Sequence, residues 1–142
     1  MTMIDQLVED FEMLGDWDER FNYILEMGEK LPAMPEEDKN EKTLVSGCTS
    51  QSWVKGWFTD EGKFDFIADS EALMGRGMLS FARNLYAGKT ASEILEIDLL
   101  DFATRSGLME NLTPTRQKGL HALITLLRKL ATEQQAKEDA RR

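Results

Sequence analysis

Strand-like sequence in this chain is confined to one short stretch near the middle, with helical patterning on both sides. Trp53-Val54-Lys55-Gly56-Trp57-Phe58 and Lys63-Phe64-Asp65-Phe66-Ile67-Ala68 are aromatic-rich and roughly alternating, and Asp60-Glu61-Gly62 between them carries turn chemistry. An isolated hairpin is marginal in water, so helices must cover one of its faces. A third short strand is expected at Thr43-Leu44-Val45, and Trp53, Trp57, Phe64 and Phe66 are expected to form sheet-face core. The fold class is therefore α+β, a small antiparallel three-stranded sheet packed by helices.

The helices announce themselves by spacing and caps. Ile4, Leu7, Val8, Phe11 and Leu14 share one face of a first helix that Gly15 breaks. Asp16, three residues before Glu19, starts a second, with Trp17, Phe21, Ile24, Leu25 and Gly28 as its buried stripe and Pro32 and Pro35 beyond its end. Asp69 and Ser70 are expected to cap a third helix that runs to about Tyr86 and stops at Gly88. Gly75 and Gly77 inside it each weaken a helix by ~1 kcal/mol relative to alanine, which predicts close approach of a neighbouring backbone. Thr90-Ala91-Ser92-Glu93 is a capping box, Asp98 starts another short helix, and Thr113-Pro114 opens a long one striped by Leu120, Leu123, Ile124, Leu127 and Leu130. The polar tail from about residue 132 is expected to fray.

Length and charge narrow the function classes. The 142 residues fit one domain spanning 1–142, with no repeat or composition break. Net charge is −9, and residues 1–41 hold 13 acidic against 3 basic side chains. A nucleic-acid partner would need a surplus of clustered Lys and Arg, which is missing. No apolar run reaches the ~18 residues of a membrane span, and the start lacks secretory-signal chemistry, so a reducing cytoplasm is the expected location. One cysteine and one histidine give no paired metal-ligand spacing, and neither an EF-hand loop nor a phosphate-binding Gly-rich loop appears, so no metal or cofactor site is expected, with carboxylate-only metal sites left open.

The lone cysteine is the most informative position. Cys48 sits in Val45-Ser46-Gly47-Cys48-Thr49-Ser50-Gln51-Ser52-Trp53. Buried cysteines usually behave as small hydrophobes, yet this one follows glycine and precedes small polar residues, in a loop that lets another molecule come close. Only about 3% of an ordinary thiol is ionised at pH 7. Positive charge would raise that, and Arg116 is the candidate: it stands in the first turn of the last helix, where the dipole favours acids. His121 is the only available imidazole and falls at the edge of an apolar stripe. Asp69 and Glu71 read as a cap and a first-turn acid, or as residues that organise the cysteine loop.

Four blocks together resemble the SufE family over about Leu7 to Arg128: Trp17-Asp18-Glu19-Arg20-Phe21 through Leu31-Pro32, Gly47-Cys48-Thr49-Ser50-Gln51-Ser52-Trp53, Ala68-Asp69-Ser70-Glu71-Ala72 through Arg76-Gly77, and Leu112-Thr113-Pro114-Thr115-Arg116-Gln117-Lys118-Gly119-Leu120. The resemblance implies a fold shared with IscU-type scaffolds. It implies that Cys48 takes persulfide sulfur from a cysteine desulfurase (SufS- or CsdA-like), stimulates that enzyme, and passes the sulfur to a downstream iron–sulfur scaffold. Pyridoxal phosphate belongs to the partner. Arg116 would support the thiolate or touch the partner, and Gly47, Thr49, Ser50, Gln51, Asp69 and Glu71 would shape the loop and its contacts. The loop is expected to shield Cys48 at rest. Two positions depart from the family pattern: Ser52, usually apolar, and Lys118, usually asparagine or similar. The rival readings are a stand-alone thiol enzyme using Cys48 with His121, and an interaction module without chemistry.

Overall fold

The computed structural model describes residues 3–45 and 51–141. Two N-terminal helices, α1 (Met3–Glu12) and α2 (Trp17–Glu29), lead through a 3-10 turn at Glu36–Asp38 to the hairpin β1 (Ser52–Phe58) and β2 (Phe64–Ser70). Helices α3 (Leu73–Tyr86), α4 (Ala91–Glu96), α5 (Leu99–Arg105) and α6 (Pro114–Ala140) follow. The class is α+β, as the patterning requires.

Local chemistry explains most boundaries. Gly15, at φ +107°, separates α1 from α2, and Asp16 accepts the Glu19 N–H at 3.1 Å. Thr90 and Glu93 form the reciprocal capping box of α4, Asp98 accepts the Asp101 N–H at the start of α5, and Thr113 caps α6 ahead of Pro114. Helix α6 does not end near Ala131. It continues to Ala140, because its last turns are good helix formers joined by i,i+4 bonds from Gln134 to Glu138 and Gln135 to Asp139.

Among the described residues the sheet has two strands, not three. Leu44 makes one isolated bridge to Trp53, with Val45 N–H donating to Ser52 O and Val54 N–H to Thr43 O, both at 2.8 Å. The turn that Asn40 organises just upstream ends extension on that side. Strand β2 runs two residues further than expected and absorbs Asp69 and Ser70, so α3 begins at Leu73 without a side-chain cap of its own.

Register decides what is buried. Ser52, Val54, Gly56 and Phe58 pair with Ser70, Ala68, Phe66 and Phe64 and share the helix-covered face. Phe64, Phe66 and Ala68 are essentially inaccessible there. Trp53 and Trp57 pair with Asp69 and Asp65 on the opposite face; Trp57 is 41% exposed and Trp53 half-buried, so neither is core. The expected close approach is real for Gly77. A Cβ there would meet the Ile24 carbonyl oxygen of α2, and one on Gly28 would lie 2.8 Å from Gly77 N. Gly75 instead makes room for the Ser70 side chain.

Candidate functional site

The segment carrying Gly47, Cys48, Thr49 and Ser50 lies outside the described residues, as does the expected shielding of Cys48. Its C-terminal anchor is well defined. Gln51 N–H donates to Glu71 Oε1 at 2.7 Å, and Glu71 N–H donates to Gln51 O at 2.9 Å. Glu71 thus extends the antiparallel ladder by one step and adds a charge-assisted bond. Glu71 is therefore not the expected first-turn acid, because α3 begins only at Leu73.

Asp69 lies one residue before the buried end of β2, on the outer face. Its carboxylate receives Lys39 Nζ at 2.8 Å, Arg76 Nη1, and the Ser70 N–H at 2.8 Å. Lys39 also sits 5.5 Å above the Trp53 ring. Arg76 reaches on to Leu31 O at 3.1 Å and Gly28 O at 3.3 Å, supplying donors to the C-terminal end of α2, whose last turn has no basic residue. One carboxylate therefore ties together the approach to the cysteine segment, the end of β2 and the α2–α3 pair.

Partial burial pushes the Asp69 carboxyl up, but the Lys39 and Ser70 hydrogen bonds and the Arg76 charge outweigh it and hold the group below its ordinary 3.8. A depressed carboxyl contributes stability that is complete above the unfolded value and is lost as pH falls through the folded one. Asp69→Asn is therefore expected to lower stability at pH 7 and to flatten the acid limb of a stability-versus-pH curve. Urea midpoints between pH 7 and pH 3 check this; equal acid slopes in the two proteins would contradict it.

Beside these anchors lies a cavity of about 320 Å³. Its walls are apolar: Val45, Met78, Leu79, Leu120 and Leu123. Its polar groups are Ser52, Ser70, Thr113, Thr115 and Arg116. Val45 and Ser52 flank the cysteine segment in sequence, so the cavity opens where that segment leaves and rejoins the fold. Among the described residues no carboxylate lines it, and none pairs with the Arg116 guanidinium. His121 is exposed on α6 and is not among the lining residues.

The structure thus brings Gln51 and Glu71 together at the segment's base, Arg116 to the adjacent cavity, and Asp69 to a neighbouring ion cluster. Lys39, Ser52 and Ser70 escaped the sequence reading as site residues. Ser70 looked like a cap, and Lys39 stood in an acidic run with no local sign of its tertiary partner. Among the described residues no group of three or more His, Cys, Asp or Glu side chains is placed to hold a metal, and no helix is long and apolar enough to cross a membrane.

The family model for SufE, an Fe–S metabolism associated domain, matches residues 5–131. An uncharacterized SufE-like protein of Rhizobium meliloti (strain 1021) is 37% identical over 127 residues, covering 87% of this chain and 91% of the relative. Another, from Rhizobium etli, is 34% identical over 134 residues, covering 92% and 90%. The solution structure of a hypothetical protein from Thermus thermophilus superposes with a TM-score of 0.75 over 94% of this chain and 96% of the other, at 23% identity.

Proposed function

We propose that this chain, which belongs to the SufE family and so serves Fe–S metabolism, is the acceptor that takes sulfur from a cysteine desulfurase. Cys48 thiolate attacks the outer sulfur of the partner's persulfide. The bond between the partner's two sulfurs breaks, its thiolate leaves with the electron pair, and Cys48 becomes the persulfide. No net electrons are exchanged, and the rate follows thiolate fraction, leaving-group pKa and access. The chain, acting as one acceptor domain in the cytoplasm, then yields the sulfur to an iron–sulfur scaffold. Pyridoxal phosphate stays on the desulfurase.

The observation that carries this reading is Arg116, without a carboxylate partner among the described residues, lining a cavity together with Val45 and Ser52, which flank the cysteine segment in sequence. A positive charge within a few ångströms of a thiol favours the thiolate. His121 lies outside the set of residues lining that cavity, which favours a carrier over a stand-alone thiol enzyme.

Desulfurase turnover on cysteine, measured with and without this protein, tests the proposal. The wild type stimulates turnover, and Cys48→Ser does not. Arg116→Gln loses roughly three- to tenfold of the stimulation, as the loss of one favourable charge near a thiolate implies. His121→Ala keeps it. Stimulation that survived Cys48→Ser would favour the interaction-module reading, and turnover without any desulfurase would favour the thiol-enzyme one.

A further inference from the structure

The cysteine segment is held from its two sides in different ways. Downstream, Gln51 leads straight into β1, where the backbone ladder to β2 and the Glu71 carboxylate fix the chain. Upstream, the arm from Pro35 to Leu44 meets the outer face of the hairpin, and none of its residues is buried. Burial of apolar area therefore does little to place this arm between Met34 and Val45. Polar contacts must do so.

Two backbone bonds join the arm to β1, from Val45 N–H to Ser52 O and from Val54 N–H to Thr43 O. Two ion pairs clip it from the side, and they differ in quality. Lys55 Nζ meets Asp38 Oδ1 at 2.9 Å, but the lysine is half-exposed, so water and salt weaken the pair. Lys39 Nζ meets Asp69 Oδ2 at 2.8 Å, with the two side chains only 17% and 14% exposed. The same ammonium lies 5.5 Å above the Trp53 ring, and Arg76 and the Ser70 N–H hold Asp69 in place. Lys39 also touches Glu36 at 3.1 Å, but that carboxylate is almost wholly exposed and belongs to the arm itself.

We infer that Lys39 is a positioning residue. By clipping the arm to Asp69 across Trp53 it holds Val45 in register with Ser52, and so sets where Cys48, three residues further on, meets a partner's persulfide. The clip stands on the contacts alone; its effect on sulfur transfer rests on the proposed function.

Lys39→Met, Lys39→Arg and Lys55→Met, each in the full chain, test this. Arg76 still pairs with Asp69 in Lys39→Met and no apolar burial is lost, so its Tm stays within about 4 °C of the wild type. Its Val45 and Val54 amides exchange hydrogen about tenfold faster or more, while the Glu71 amide on the downstream side stays within about threefold of the wild-type rate. In single-turnover uptake of sulfur from a persulfide-loaded cysteine desulfurase, Lys39→Met at saturating concentration is slower by about tenfold, because a displacement of about 1 Å at a reacting group can cost up to about 10²-fold. The concentration giving half the maximal rate moves by less than about threefold, since the loss falls on the reacting geometry and not on binding. A purely structural defect would lower the amplitude of uptake and not its rate. Lys39→Arg keeps a charged donor for Asp69 and restores both the amides and the uptake to within about twofold of the wild type. Lys55→Met removes an equal charge from the same face and leaves uptake within about twofold. Wild-type exchange at Val45 and Val54 in Lys39→Met would overturn the inference, as would wild-type uptake by that variant, no rescue by arginine, or an equal slowing in Lys55→Met. A wild type that takes up no sulfur would overturn the proposed function and the effect on transfer with it, and the amides would then decide the clip by themselves.

Discussion

Replacing Gly77 by alanine is expected to cost about 2–3 kcal/mol of stability, a drop of about 6–12 °C in Tm for a chain of this size. In an exposed helix the same change would gain up to ~1 kcal/mol from propensity. Here the new methyl would land on the Ile24 carbonyl oxygen, and on the facing side Gly28 already lies against Gly77 N and Leu73 O. Those neighbours are backbone, so no side-chain rotation relieves the clash and α2 must move away from α3. The displacement also stretches the Arg76 bonds to Gly28 O and Leu31 O and shifts the first turns of α3, which border the cavity. Gly28→Ala strikes the same contact, so the double variant should lose less than the two single losses added. Calorimetry on the three proteins measures this, and a Gly77→Ala protein melting with the wild type would refute the close approach.

That contact was legible in the sequence because two glycines in a helix interior carry a cost that something must offset. The caps at Asp16, Thr90, Asp98 and Thr113 were legible for a similar reason, since a cap and the N–H groups it serves are three residues apart. Trp53 and Trp57 were not. Alternation shows that a strand has two faces, but only the pairing register and the position of the helices say which one is covered. Asp69 and Ser70 precede a helical pattern and have cap chemistry; their tertiary partners Lys39, Arg76 and Ser52 hold them in β2 instead. Among the described residues the third strand is reduced to the Leu44 bridge, and the Asn40 turn just upstream competes with extension. The cavity had no sequence signature at all, because residues near 45, 52, 70–79 and 113–123 meet only after folding.

The second large effect concerns Cys48 itself, and it is all or none. If sulfur passes through this one thiol, replacing it removes the only atom able to form the new sulfur–sulfur bond, and no neighbouring group can substitute. Arg116, Glu71 and Asp69 would tune the rate or hold the segment; none of them can carry the sulfur. A graded loss at those positions against a complete loss at Cys48 is therefore the pattern expected of a carrier.

Intact mass spectrometry tests this most directly. After incubation with a cysteine desulfurase and cysteine, and without reductant, the wild-type chain should gain ~32 Da, the mass of one sulfur carried by thiol exchange. The increment should map to Cys48 and be absent from Cys48→Ser. A wild-type chain that stays unmodified while the desulfurase turns over, or an equal gain in the serine variant, would contradict the account.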